Sequence, residues 1–353
     1  MKIALAGGGT AGHIEPALNT ADGLRAADPD CELVILGTAR GLETTLVPAR
    51  GYELSLIPAV PLPRSLNRDL LTLPVRLIRA LGQTRNAIKG ADVLVGFGGY
   101  VALPAYLAAK SLKIPIVVHE ANAKAGLANK VGARLAAAVI ETVAGSLPGA
   151  KRLGLPLRTS ITNLNRAESR FVASEYWNLN PIRPTLLVYG GSQGARNLNR
   201  VVSEAAPELV ELGWQILHSV GKANQDYLNS ENPNYKTVEY IDRMDLAYAI
   251  ADAAVTRAGA MTVAELTAVG IPSIYVPLPI GNGEQRLNAL PVVKAGGGEI
   301  IPDAELSATE LVSTLIRWES EGLANRAEAA RSMGNKNSVA DIVQVIIEVG
   351  QKR

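Results

Sequence analysis

Three glycine-rich turns carry the residues of this sequence best suited to chemistry. Thr256 to Glu265, TRAGAMTVAE, joins the end of an apolar run to a glycine turn and a helix start, with one carboxylate further in. The first amides of such a helix have no intrahelical acceptor, and with the positive end of the helix dipole they favour a phosphate. Glu265 is then placed to take hydrogen bonds from the hydroxyls of a ribose attached to that phosphate. The plainer alternative is a capping box of Thr262 and Glu265 that binds nothing. Gly7 to His13, GGGTAGH, has the same outline and ends on an imidazole, which titrates near neutrality. Gly190 to Gly194, GGSQG, is the third turn and carries a serine hydroxyl.

The elements that must position these turns follow from the apolar pattern. Ile3 to Ala6 reads as a strand, and Ile14 to Ala27 as a helix with Ile14, Leu18, Ala21 and Leu24 on one face. Apolar runs at Glu32 to Leu36, Val93 to Val95, Pro115 to Val118 and Ala138 to Glu141 continue the alternation of strand and helix. The second half repeats it, with strands expected at Thr185 to Tyr189, Trp214 to Leu217, Thr237 to Tyr240, Ala253 to Thr256 and Ser273 to Val276. Alternation of this kind implies a parallel sheet covered on both faces, with ligands beyond the carboxyl ends of its strands. The fold class is therefore α/β, with two Rossmann-like domains facing across a cleft that opens and closes. The proline- and glycine-rich segment Leu147 to Pro156 reads as the hinge, and Ser338 to Val349 as a helix crossing back onto the first domain. The expected domains are residues 1–158 joined by a C-terminal helix 336–353, and residues 159–335.

With 353 residues, 48% hydrophobic and 19% charged, the chain has the composition of a globular protein, and its length suits two domains. A net charge of +2 without long charged runs gives no general attraction to nucleic acid. Cys31 is the only cysteine, which excludes an intrachain disulfide and fits a reducing compartment. The opening MKIALAGGG has too short an apolar run for a signal peptide, and no stretch approaches a membrane span, so a cytoplasmic location is expected. None of His13, His119 and His218 has another histidine at metal-ligand spacing, and Asp28-Pro29-Asp30 precedes a strand and reads as a turn. No metal or other cofactor is expected.

Leu62 to Lys89 interleaves Arg64, Arg68, Arg76, Arg79, Arg85 and Lys89 with leucines and isoleucine. A helix of that kind can lie on an anionic membrane surface. It can equally be a core-packed helix with solvated arginines.

Eight motifs in one order give a closer reading. GGTAGHIEPAL at Gly8 to Leu18, GFGGYVALPA at Gly96 to Ala105, HEANAKAGLANK at His119 to Lys130 and GLPLR at Gly154 to Arg158 lie in the first half. GGSQGARNLN at Gly190 to Asn199, EYIDRM at Glu239 to Met244, TRAGAMTVAE and EQRLNA at Glu284 to Ala289 lie in the second. Together they resemble the MurG family of N-acetylglucosaminyltransferases of peptidoglycan synthesis, nearly end to end. The resemblance implies a GT-B glycosyltransferase fold and inverting transfer of GlcNAc from UDP-GlcNAc to the C4 hydroxyl of the muramoyl sugar of lipid I, giving lipid II. It also implies a peripheral place on the cytoplasmic face of the cell membrane, with an anionic membrane surface as partner.

Carried over by position, the resemblance implies that Ser192 and Gln193 meet the diphosphate together with the amides of Ala260, Met261 and Thr262. Arg158 and Ile241 would meet the uracil or its surroundings, Met244 would lie beside the nucleoside, and Glu265 would hold the ribose. Glu284, Gln285 and Asn288 match the segment that reads GlcNAc. On the acceptor side stand the turn Thr10, Ala11 and Gly12, then Tyr100, and the candidate catalytic residues His13, Glu120 and Asn122. His13 serves either as the base or, when charged, as a phosphate partner, with Glu120 the competing base. Ala11, Leu155 and Glu284 depart from the family's usual glycine, asparagine and glutamine. Two rival functions share the architecture: a UDP-GlcNAc 2-epimerase and a non-catalytic UDP-sugar sensor.

Overall fold

A computed structural model describes residues 1–39, 41–60, 69–228, 232–279 and 283–352. The chain divides into two compact units, Met1–Leu157 with Asn337–Arg353, and Arg158–Lys336.

In unit 1 the strands are β1 (Lys2–Gly7), β2 (Glu32–Gly37), β3 (Leu54–Leu56), β4 (Val93–Gly98), β5 (Ile116–Glu120), β6 (Ala138–Glu141) and β7 (Lys151–Arg152). They form one parallel sheet in the order β3-β2-β1-β4-β5-β6-β7. The helices between them are α1 (Ala11–Ala27), α2 (Glu43–Ala49), α3 (Asp69–Ala87), α4 (Ala102–Ser111) and α5 (Leu127–Ala133). The all-apolar central strands explain the two-sided burial: one core joins Ile3, Leu5, Val93 and Val95 to Ile14, Leu18 and Leu24 of α1, and another joins Ala4, Leu94, Ile116 and Val118 to α4.

Unit 2 repeats the plan. Its strands are β8 (Thr185–Tyr189), β9 (Gln215–Ser219), β10 (Tyr235–Val238), β11 (Ala253–Thr256), β12 (Ser273–Tyr275) and β13 (Gly298–Ile300), in the parallel order β10-β9-β8-β11-β12-β13. Its helices are α6 (Thr159–Thr162), α7 (Arg166–Trp177), α8 (Arg196–Glu211), α9 (Met244–Ile250), α10 (Ala260–Val269), α11 (Glu284–Lys294), α12 (Ala308–Glu321) and α13 (Leu323–Ser332). The last helix, α14 (Ser338–Gln351), belongs to unit 1, where Ile342, Val343 and Ile346 join the α1 core.

Both sheets reverse direction of growth between their first and fourth strands, β1 and β4 in one unit and β8 and β11 in the other. That switch point is where ligands bind in open parallel sheets, because the connections on its two sides run to opposite faces and leave a crevice.

The segment expected to be a hinge is built into unit 1. Residues 151–152 pair with β6, and Leu147, Leu153 and Leu155 are buried. Three successive carbonyls there are held: Gly154 O accepts from His119 Nε2 at 2.9 Å, Leu155 O from Ser338 Oγ at 2.6 Å and Pro156 O from Asn19 Nδ2 at 2.9 Å. Backbone polar groups without partners would be costly to bury, and these three carbonyls each have one.

Candidate active site

In unit 1 the switch point is lined by Gly7 to His13 after β1 and Gly98 to Tyr100 after β4. Thr10 is the N-cap of α1 in extended backbone and its side chain caps nothing. Intrahelical bonding begins when the His13 and Ile14 amides donate to Thr10 O. Ala11 and Gly12, ahead of those bonds, are exposed, so their amides can meet an anion. The His13 ring is gripped by glycines: a Cβ on Gly98, which has φ +94°, would lie 3.0 Å from its Cε1, and one on Gly99 would lie 2.2 Å from Gly8 O. Tyr100 is half exposed, and its ring lies 3.4 Å from where a Gly9 Cβ would stand.

His13 Nδ1 lies 2.9 Å from Phe97 O. A carbonyl can only accept, so Nδ1 carries the hydrogen and Nε2 keeps a lone pair. Burial lowers the His13 pKa below the ordinary histidine value, more than the nearby Glu120 charge and the Phe97 bond raise it. The ring is thus a neutral imidazole with an available basic nitrogen.

Glu120, at the end of β5, is buried and accepts three hydrogen bonds. Its carboxylate accepts from the Asn122 amide at 3.0 Å, the Gly126 amide at 3.2 Å and Asn129 Nδ2 at 2.9 Å. Asn129 in turn accepts from Tyr106 at 2.7 Å. This carboxylate folds the loop that carries Asn122. His119 is buried, with its pKa lowered to about 4 by burial, and serves as the Gly154 anchor.

In unit 2, Gly191, Ser192 and Gln193 are exposed between β8 and α8. The turn rests on backbone: a Gly194 Cβ would lie 2.0 Å from Val220 O, and Gly221 presses on Gly194 in return. Asn224 Nδ2 holds Gln193 O at 3.0 Å, and Asn199 Nδ2 holds Val220 O at 2.8 Å. Behind Asn199 stands the buried His218, kept neutral by burial with a pKa of about 3.

Ala260, Met261 and Thr262 begin α10, whose N-cap Gly259 offers no side chain; the first intrahelical bond is Val263 N to Gly259 O. Gln285 and Asn288, one turn apart on α11, hold the residue just before that cap. Gln285 Oε1 accepts from Ala258 N at 3.2 Å, and Asn288 Nδ2 donates to Ala258 O at 3.3 Å. Glu284 opens α11, half-buried.

Glu265 makes no capping box. Its buried carboxylate accepts from Arg158 Nη2 at 3.0 Å and from the Tyr248 hydroxyl at 2.8 Å, and Tyr248 is 3.1 Å from the Tyr189 hydroxyl. Burial raises both tyrosine pKa values, so both remain phenols able to donate. Neither tyrosine was signalled by the sequence motifs. The Ile241 side chain is buried in the core of unit 2, and Met244 is half-buried at the start of α9. Among the described residues, no group of three or more His, Cys, Asp or Glu side chains could hold a metal ion.

Two Rossmann-type units, each with uncapped helix amides at its switch point, have the GT-B fold. Models of the glycosyltransferase family 28 N-terminal domain and C-terminal domain match residues 3–141 and 185–346. Proteins named UDP-N-acetylglucosamine--N-acetylmuramyl-(pentapeptide) pyrophosphoryl-undecaprenol N-acetylglucosamine transferase are similar over nearly the whole chain. The one from Mycolicibacterium smegmatis is 53% identical over 364 residues, covering 99% of this chain and 94% of that relative. The one from Streptomyces avermitilis is 55% identical over 357 residues, covering 99% and 98%. The crystal structure of Acinetobacter baumannii MurG superposes with a TM-score of 0.79 at 28% identity, covering 98% of this chain and 99% of that one. The chain belongs to glycosyltransferase family 28 and, within it, to the MurG family.

Proposed function

We propose that the chain moves N-acetylglucosamine from UDP-GlcNAc to the C4 hydroxyl of the muramoyl sugar of lipid I, forming lipid II with inversion. The observation that carries this reading is identity above one half, over almost the full length, with relatives named for that transfer. The geometry supports it with parts of suitable chemistry.

Unit 2 takes the donor. The amides of Ala260 to Thr262 and the Gly191 to Gln193 turn with Ser192 receive the diphosphate, and Glu265 receives the ribose. Arg158, Met244 and the Ile241 backbone surround the base, and Glu284, Gln285 and Asn288 stand at the sugar. Unit 1 takes the acceptor, with Tyr100, Asn122 and the Thr10 to Gly12 turn as contacts. His13 Nε2 removes the C4 hydroxyl proton as that oxygen bonds to the anomeric carbon. The bond from the anomeric carbon to the diphosphate oxygen breaks, and UDP departs with the electron pair. Helix amides stabilise the charge that grows on the leaving diphosphate. Glu120, which accepts from three N–H donors, organises the loop and is not the base.

Lipid I is embedded in a membrane, so the chain works as a peripheral protein at its anionic cytoplasmic surface. No helix among the described residues is long and apolar enough to cross a membrane. On α3, Val75 and Ile78 are 71% and 70% exposed beside the exposed Arg79, which supports membrane contact there. Leu62, Arg64, Leu66 and Arg68 lie outside the described residues, as do the side chains of Leu70, Leu71, Leu73 and Arg76.

The epimerase reading is not favoured, since the relatives above one half identity are named transferases. UDP release, measured with UDP-GlcNAc alone and then with a lipid I analogue added, tests the proposal. Release that depends on the acceptor is expected; ManNAc formed without acceptor, or nucleotide binding without turnover under either condition, would overturn it.

A further inference from the structure

Glu43 is a fully buried carboxylate that no motif singled out. It opens α2, yet its oxygens point back to the ends of β1 and β2 rather than along its own helix. Oε2 accepts from the Gly9 amide at 3.0 Å, and Oε1 accepts from the Thr38 amide and the Thr38 hydroxyl, each at 2.8 Å. Burial pushes its pKa up, but the Gly9 and Thr38 bonds outweigh that and hold it below the ordinary glutamate value.

Three glycines make the space it occupies. A Cβ would lie 2.8 Å from its Oε1 at Gly8, 2.5 Å from its Cγ at Gly37 and 1.8 Å from its Oε2 at Gly41. The same turn is packed on its other side against the groups of the site. Gly8 O would meet a Gly99 Cβ at 2.2 Å, Gly9 faces the Tyr100 ring, and Gly99 and Gly98 enclose the His13 ring. The Gly8 to Gly9 turn thus lies against Gly99 and Tyr100, with Gly98 and Gly99 next to the His13 ring, so a shift of the turn bears on both side chains. Because Gly9 spends its amide on Glu43, the free amides begin at Ala11 and Gly12.

We propose that Glu43 is a positioning residue for the acceptor side: its carboxylate fixes the Gly8 to Thr10 turn so that Ala11, Gly12 and His13 are presented to the acceptor. The inference rests on the transfer reaction proposed above. A glutamine cannot replace it, because an amide has only one acceptor oxygen and would set an N–H group against either Gly9 N–H or Thr38 N–H.

The test compares wild type, Glu43→Gln and the milder Thr38→Val, which removes one of the three donors and keeps the shape. With UDP-GlcNAc and a lipid I analogue, Glu43→Gln is expected to raise acceptor KM and lower kcat, together by about tenfold or more. Thr38→Val should give a smaller change in the same direction, and UDP affinity and donor KM should stay within about twofold in both. Equal movement of donor and acceptor KM in both variants, or wild-type kinetics in Glu43→Gln, overturns the proposal. Amide hydrogen exchange separates its failure from failure of the transferase reading. Even if wild type transfers nothing, faster exchange confined to residues 8–13 and 98–100, with 190–194 unchanged, supports the positioning role. Unchanged exchange at 8–13 in both variants contradicts it.

Discussion

His13 gives its Nδ1 hydrogen to the carbonyl oxygen of Phe97, 84 residues away in sequence and 2.9 Å away in space. In the neutral ring the bond fixes the tautomer with Nε2 unprotonated, and burial, which lowers the pKa more than the Phe97 bond and the Glu120 charge raise it, favours a neutral base over a charged phosphate partner. A base works unprotonated, so turnover should rise with pH through a midpoint below 6.5 and level off by neutrality. His13→Ala should remove that limb and cost about a hundredfold or more in kcat. Glu120→Gln should keep the limb. If the limb survives in His13→Ala and disappears in Glu120→Gln, the base has been assigned to the wrong residue.

The Glu265 carboxylate couples two separate effects that a double variant can pull apart. Glu265→Ala should weaken UDP binding about tenfold or more, since hydrogen bonds to a charged group contribute roughly 1.5–3 kcal/mol. It should also lower the melting temperature, because the buried Tyr248 hydroxyl loses its acceptor, at a cost of about 1–3 kcal/mol. Adding Tyr248→Phe should restore much of the melting temperature and none of the UDP affinity. Recovery of affinity alongside stability would mean that Glu265 has no direct part in binding.

Acid should loosen both units through buried histidines. His119 and His218 have pKa values lowered to about 4 and about 3, below the unfolded value near 6.5. The unfolded chain therefore binds these protons first, and the stability held above pH 6.5 is lost as pH falls toward the folded values. Between pH 6.5 and 5 each group should cost about 2 kcal/mol. Differential scanning calorimetry of wild type and His218→Gln should show a shallower decline over that window in the variant; parallel curves would contradict the account of His218.

Vesicle binding should depend on α3. Introducing negative charge at the apolar contacts, Val75→Glu with Ile78→Glu, should abolish sedimentation with phosphatidylglycerol vesicles while leaving UDP affinity unchanged. Arg79→Ser should weaken binding and flatten its salt dependence, because screening acts on the electrostatic part. Unaltered binding in all of these variants would place the membrane surface elsewhere.

Much of this was legible in the sequence because it depends on local pattern. Strand, glycine turn and helix recur at Gly7 to His13, Gly190 to Gly194 and Thr256 to Glu265, and α10 starts just after the Gly259 turn. What was hidden depends on distant partners or short pairings. Arg158 is 107 residues from Glu265, so the stretch by itself offered a capping box as the plainer role for that carboxylate. Gln285 and Asn288 carry sugar-reading positions by resemblance, yet both side chains also bond Ala258, which only packing of α11 against the α10 start could reveal. Leu147 to Pro156 has the composition of a hinge, and its ties to unit 1 run through a two-residue strand and through His119, Ser338 and Asn19. β3 is only three residues long, too short for periodicity to register. Glu43 reads as an ordinary helix-start acid; Gly37 and Gly41 on either side were the only local sign that space was being kept for it.

The most direct check is structural analysis of the reaction product by mass spectrometry and NMR after incubation of the protein with UDP-GlcNAc and a lipid I analogue. The account predicts an acceptor heavier by one N-acetylhexosamine residue, joined to the muramoyl C4 oxygen in the β configuration. An α linkage, attachment at another oxygen, or an unchanged acceptor beside consumed UDP-GlcNAc would contradict it.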